Sequence, residues 1–114
     1  MNERSYLMFL EDIIESIEKI EIYIRELPYN AFIEDSKTVD AVVRNLEIIG
    51  EASKRIPDNI KENLKEVPWH RMTGLRNIIA HEYFGIDLNI IWKIIKENLP
   101  EVKPSLKKLL KESQ

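Results

Sequence analysis

Apolar residues recur along this chain at alternating steps of four and three, the spacing of one face of an α-helix. Tyr6, Leu10, Ile13, Ile17, Ile20, Ile24 and Leu27 trace a first seam. It predicts a long helix packed lengthwise and ended by Pro28, whose ring and missing N–H do not continue a helix. Glu11, Glu15, Glu18, Glu21 and Glu26 fall between the seam positions and read as a solvated face. Residues 30–37 read as a polar connection with cap candidates Asp35 and Ser36, after which Val39, Val42, Leu46, Ile49 and Ile56 resume the spacing as far as Pro57. Inside that second helix Gly50 costs about 1 kcal/mol relative to alanine, and Ser53 takes a seam step. Close approach of another helix explains both.

Asp58 to Glu66 reads as a short helix or an irregular lid, with polar residues crowding Ile60 and Leu64. Pro68 suits the first turn of a further helix that runs through Trp69, Met72, Leu75, Ile78 and Ile79. Trp69, at helical spacing from Met72, reads as core rather than as a base-stacking platform, and His70 as a surface residue. Thr73-Gly74 either lets the backbone approach a partner or ligand or forms a packing notch. Tyr83-Phe84-Gly85-Ile86 reads as a turn and Asp87 as an N-cap. Leu88, Ile91, Ile95, Leu99, Val102, Leu106 and Leu109 trace a last seam whose register survives Pro100 and Pro104, predicting a kinked helix or two abutting helices. No run reads as a strand. The pattern predicts an all-α fold, an antiparallel four-helix-type bundle with an additional short helix and no sheet, as a single domain over residues 1–114.

Composition narrows the function classes. The 114 residues carry no cysteine, which removes disulfide frameworks and cysteine-based metal sites and fits a cytoplasmic protein. No signal-type apolar core stands near Met1, and no apolar run reaches membrane-spanning length. The net charge of −3 argues against a general nucleic-acid coat, which needs a broad basic face. Its distribution is uneven: residues 1–35 hold three basic and nine acidic side chains, and residues 90–114 hold six basic and three acidic. Any RNA contact must therefore be local.

Chemistry concentrates in Arg76-Asn77-Ile78-Ile79-Ala80-His81-Glu82-Tyr83. On an ideal helix Asn77 and His81 share a face, whereas Arg76 and His81 diverge by about 140°, so the helix is expected to end near His81. Arg76 offers a fixed charge and a planar donor fork suited to phosphate oxygens, and His81 can exchange protons near neutral pH. RNA carries its own nucleophile, the 2′-hydroxyl, so the protein need only move protons and stabilise charge at phosphorus. With two histidines and no paired-histidine ligand spacing, a metal mechanism has poor support. A plainer reading stays open: a helix carrying Arg and ending in His caps its own carbonyls. Arg44, Asn45, Glu47 and Glu51 either face the same cleft as Arg76 or form a solvated flank.

The stretch resembles the HEPN domains, and within them the HepT-like toxins of bacterial and archaeal toxin–antitoxin pairs. Arg76, Asn77 and His81 match the HEPN pattern of an Arg followed by a polar residue and, after a short spacer, a His; Tyr83 matches the HepT tyrosine two residues beyond. Residues 44–52, Pro68-Trp69 and the Phe84 to Trp92 stretch look like HepT segments in the same order. The resemblance implies a homodimer whose two motif copies meet in one cleft and cleave RNA without a metal or other cofactor, Arg76 and His81 being catalytic and Asn77 supporting. It also implies an MNT-type nucleotidyltransferase antitoxin that silences the toxin by AMP transfer to Tyr83. The competing expectations are a non-catalytic HEPN module that binds nucleotide or scaffolds a nucleotidyltransferase, and a plain helical interaction protein.

Overall fold

The computed structural model describes residues 5–85 and 87–113, without the side chains of residues 81–85. Among these residues every regular element is helical: α1 (Tyr6–Tyr23), α2 (Tyr29–Glu34), α3 (Ser36–Lys54), α4 (Asp58–Glu62), α5 (Trp69–Thr73), α6 (Leu75–Gly85), α7 (Leu88–Lys93), a π-helical turn (Ile94–Asn98) and α8 (Leu99–Ser113). Four rods make the bundle: α1, α3, the jointed pair α5–α6, and the run from α7 through the π turn into α8. The all-α expectation holds. No described helix is long and apolar enough to cross a membrane.

The seams do the packing. Leu10, Ile13, Ile17, Val42, Leu46, Ile49, Ile91, Ile95 and Leu106 are fully or almost fully buried and belong to one core. Asp35 caps α3, its carboxylate accepting from the Thr38 N–H at 3.2 Å, and Asp87 caps α7 through the Asn89 N–H at 3.1 Å. Trp69 is core: it is buried and its indole N–H donates to the Leu64 carbonyl at 3.0 Å. His70 is exposed.

Several expectations need correction. α1 ends at Tyr23 rather than at Pro28, because the chain turns through Glu26, which takes a left-handed φ of 60°. The connection expected at 30–37 contains α2, which exists to bury one residue: Phe32 is fully enclosed and packs on Trp92 with ring centroids 4.9 Å apart. Glu18 and Glu21 are not simply solvated, since Lys103 bonds both, at 3.4 and 2.7 Å, and Lys107 bonds Glu18 at 2.9 Å. The helix expected from Pro68 onward breaks at Gly74, the C-cap of α5. A side chain there would meet only the carbonyls of the preceding turn, so Gly74 serves a joint, not a notch for another element. Before Pro100 the helix widens into the π turn, the Leu99 N–H reaching back to the Ile94 carbonyl; Pro104 is carried inside α8. Widening accommodates a ring that lacks the N–H of the regular ladder.

Candidate active site

Arg76 stands on the first turn of α6, against α3. Their approach is set by Gly50: a Cβ there would lie 3.2 Å from Arg76 Cγ and 3.4 Å from both the Arg76 nitrogen and the Met72 carbonyl oxygen. The missing side chain in mid-α3 is thus the space through which the start of α6 crosses. Ser53, one turn on, is fully buried, and its hydroxyl has no hydrogen-bond partner among the described residues.

From that crossing the Arg76 side chain, 57% exposed, lies over α3, and its Nη1 donates to Glu51 Oε2 at 3.3 Å. The other carboxylate oxygen of Glu51 accepts from Arg55 Nη2 at 3.5 Å. Arg76 and Glu51 form one wall of an open cleft of about 330 Å³, closed by Arg44, Glu47, Ile48 and Ala52 from α3 and by Phe9 and Asp12 from α1. Two guanidinium groups and three carboxylates thus line one groove. It can receive a phosphate only where an arginine presents donors beyond its own carboxylate partners. Among the described residues no three His, Cys, Asp or Glu side chains are grouped to hold a metal ion.

Arg44, Glu47 and Glu51 share the cleft with Arg76, which decides between the two readings of α3 for these three. Asn45 does not join them: it is buried, and its amide donates to the Ala41 carbonyl at 2.9 Å. Phe9 and Asp12 carried no signal in the sequence. They flank the α1 seam, and which flank meets α3 is decided only by packing.

Asn77 is exposed but does not line the cleft; it sits about 100° around α6 from Arg76. The expected helix end at His81 and turn at Tyr83 are both overturned, because α6 continues to Gly85. No proline interrupts this stretch, and its single glycine is the last residue of the helix. The side chains of His81 and Tyr83 lie outside the described residues. On a continuous helix the Cα of His81 stays on the side of Asn77, about 140° from Arg76, whereas Tyr83 comes two turns after Arg76 on the Arg76 side.

The family model "Ribonuclease HepT-like" matches residues 13–109. Over 109 residues the chain is 47% identical to a probable ribonuclease HepT of Thermococcus cleftensis, a match covering 96% of this chain and 99% of that one. A putative RNase of Methanocaldococcus jannaschii is 46% identical over 103 residues, covering 90% of this chain and 94% of its own. A putative RNase of Caldanaerobacter subterraneus is 35% identical over 106 residues, covering 93% and 95%. No solved structure matches the chain significantly. With a family match over most of its length and relatives aligned nearly end to end, the chain belongs to the HepT-like ribonuclease family.

Proposed function

We propose that the protein is a metal-independent endoribonuclease toxin of a type VII-like toxin–antitoxin system, acting in the cytoplasm through Arg76 and His81 in a cleft completed by a second copy of the chain. The observation that carries the reading is Arg76, half exposed in an open groove, with one guanidinium nitrogen, Nη1, held by Glu51. In the reaction the 2′-hydroxyl of RNA attacks the adjacent phosphorus, and the 5′ oxygen leaves. One His81 takes the hydroxyl proton, the His81 of the second copy protonates the leaving oxygen, and Arg76 stabilises the charge on the non-bridging oxygens. Asn77, on the His81 side of α6, supports that face.

Control comes from an MNT-type nucleotidyltransferase antitoxin. The Tyr83 phenol oxygen attacks the α-phosphorus of ATP, pyrophosphate leaves and the phenolic proton is lost. The attached AMP carries its phosphate to the side of α6 that bears Arg76, and so competes with RNA by occupancy and charge. The carboxylates beside Arg76 favour one alternative, a non-catalytic module in which Arg76 and His81 bind a nucleotide phosphate without cleaving.

Purified protein incubated with RNA in EDTA is the test. Cleavage is expected, with Arg76→Ala lowering the rate about a hundred-fold or more and His81→Ala by a similar factor. Both variants should keep the helical circular dichroism and the thermal midpoint, Arg76→Ala because the exposed ion pair it removes is worth about 1 kcal/mol at most. Arg76→Lys should also be poor, because a point ammonium cannot reproduce the fork. Full activity in His81→Ala, or activity restored only by a divalent ion, overturns the mechanism. Nucleotide binding with no cleavage selects the alternative.

A further inference from the structure

We infer that Glu51 is a positioning residue for the cleavage reaction, holding the Arg76 guanidinium by one corner so that its opposite N–H edge faces the groove where a phosphate enters. The inference rests on the ribonuclease reading for its chemistry but stands on geometry of its own. Glu51 lies next to Gly50, the one position of α3 whose lack of a side chain lets the Arg76 backbone come close. Arg76 therefore reaches Glu51 from a fixed base rather than from a free loop. The two oxygens of Glu51 are divided between two arginines, Oε1 to Arg55 at 3.5 Å and Oε2 to Arg76 at 3.3 Å, which holds the carboxylate plane from both sides.

Arg76 carries five N–H donors, and the pair with Glu51 uses one nitrogen, Nη1. A bidentate grip on phosphate needs two parallel donors on one edge, and tethering the opposite corner presents such an edge. An exposed ion pair adds little to stability, and all three side chains here are between 44% and 59% exposed. Orientation is then the larger consequence of the contact.

Charge and placement predict opposite effects, which makes the idea testable. Removing a carboxylate from the groove should strengthen attraction for RNA, whereas freeing Arg76 should weaken its aim at the transition state. Glu51→Ala is therefore expected to lower kcat about ten-fold while KM stays level or falls. Glu51→Gln, whose amide oxygen still accepts from Arg76, should recover most of kcat. A rise in kcat in Glu51→Ala, or an unchanged kcat, overturns the inference. A second readout needs no catalysis: nitrogen-15 NMR of arginine side chains in the full-length protein. The Arg76 Nη signals should be separate in wild type through hindered rotation, averaged in Glu51→Ala and separate again in Glu51→Gln. Averaged Arg76 signals in wild type refute the positioning role. If wild type cleaves no RNA the ribonuclease reading fails, and the NMR comparison still decides whether Glu51 holds Arg76.

Discussion

Trp69 shows how much one polar atom matters in an apolar setting. Its ring is buried and its indole N–H satisfies the Leu64 carbonyl at the close of the connection after α4. Trp69→Phe keeps most of the apolar volume and removes one of the two hydrogen bonds to that carbonyl, which the Val67 N–H still holds at 3.3 Å, so it should cost about 0.5–1.5 kcal/mol, and Trp69→Ala about 3–5 kcal/mol, both read from denaturant unfolding. Arg44 makes the contrasting case, an exposed side chain on the same groove as Arg76. Arg44→Ala should leave unfolding unchanged, raise KM for RNA a few-fold with kcat intact, and flatten the salt dependence of binding by about one unit of slope. An unchanged salt slope would mean that Arg44 does not meet the RNA backbone. The chemistry of Arg76 was legible from residue type alone. The face on which Glu51, Glu47 and Arg44 stand was not, because it depends on where α6 crosses α3, and that is fixed by an absent side chain at Gly50.

Between elements, the α3–α6 crossing can be tested at Gly50. Alanine there gains about 1 kcal/mol of helix propensity and meets Arg76 Cγ at 3.2 Å, while its backbone neighbours at 3.4 Å are ordinary contacts. Arg76 is exposed enough to move, so Gly50→Ala should hold stability within about 1 kcal/mol and lower cleavage by shifting the guanidinium; Gly50→Leu should disrupt the packing of both helices. Retention of full activity in Gly50→Ala would show that Arg76 tolerates displacement. The α1–α8 tie gives a pH dependence. Glu18 is held below the usual carboxylate range, first by its hydrogen bond from Lys107 and then by Lys103, and Lys103 is held above the usual lysine range by Glu21 and Glu18. A lowered acid contributes stability that is present above its unfolded value and lost as pH falls through its folded one. A raised lysine contributes stability present below its unfolded value and lost as pH rises through its folded one. Lys103→Met should therefore lower the melting midpoint at neutral pH, with the gap closing as the pH falls through the lowered folded-state value of Glu18. Solvent screening keeps the gap to about 1 kcal/mol or less, and a gap that widens in acid would contradict the assignment. The long seams were readable because periodicity survives over many turns. α2 was not, since six residues offer too little period, and neither was the α1–α8 tie, because Glu21 and Lys103 are 82 positions apart.

For the whole molecule, the decisive fact is that α6 runs unbroken to Gly85. One chain therefore carries Arg76 and His81 on sides of a single helix about 140° apart, and it carries one motif histidine where the proposed reaction uses both a base and an acid. A symmetric pair resolves both shortages, since a two-fold axis brings the same surface of each copy together and lets each copy contribute one His81. We expect light scattering to report twice the 13.5 kDa chain mass at micromolar concentration; a strict monomer would count heavily against a composite site. Subunit mixing takes the argument further. If wild-type and His81→Ala chains are co-refolded in equal amounts and both histidines of a dimer are needed, only doubly wild-type pairs cleave, and activity falls to about a quarter of the all-wild-type value. If each chain works alone, it falls to about half. A quarter supports the shared site, while a half removes the division of acid and base between copies even if the protein is dimeric.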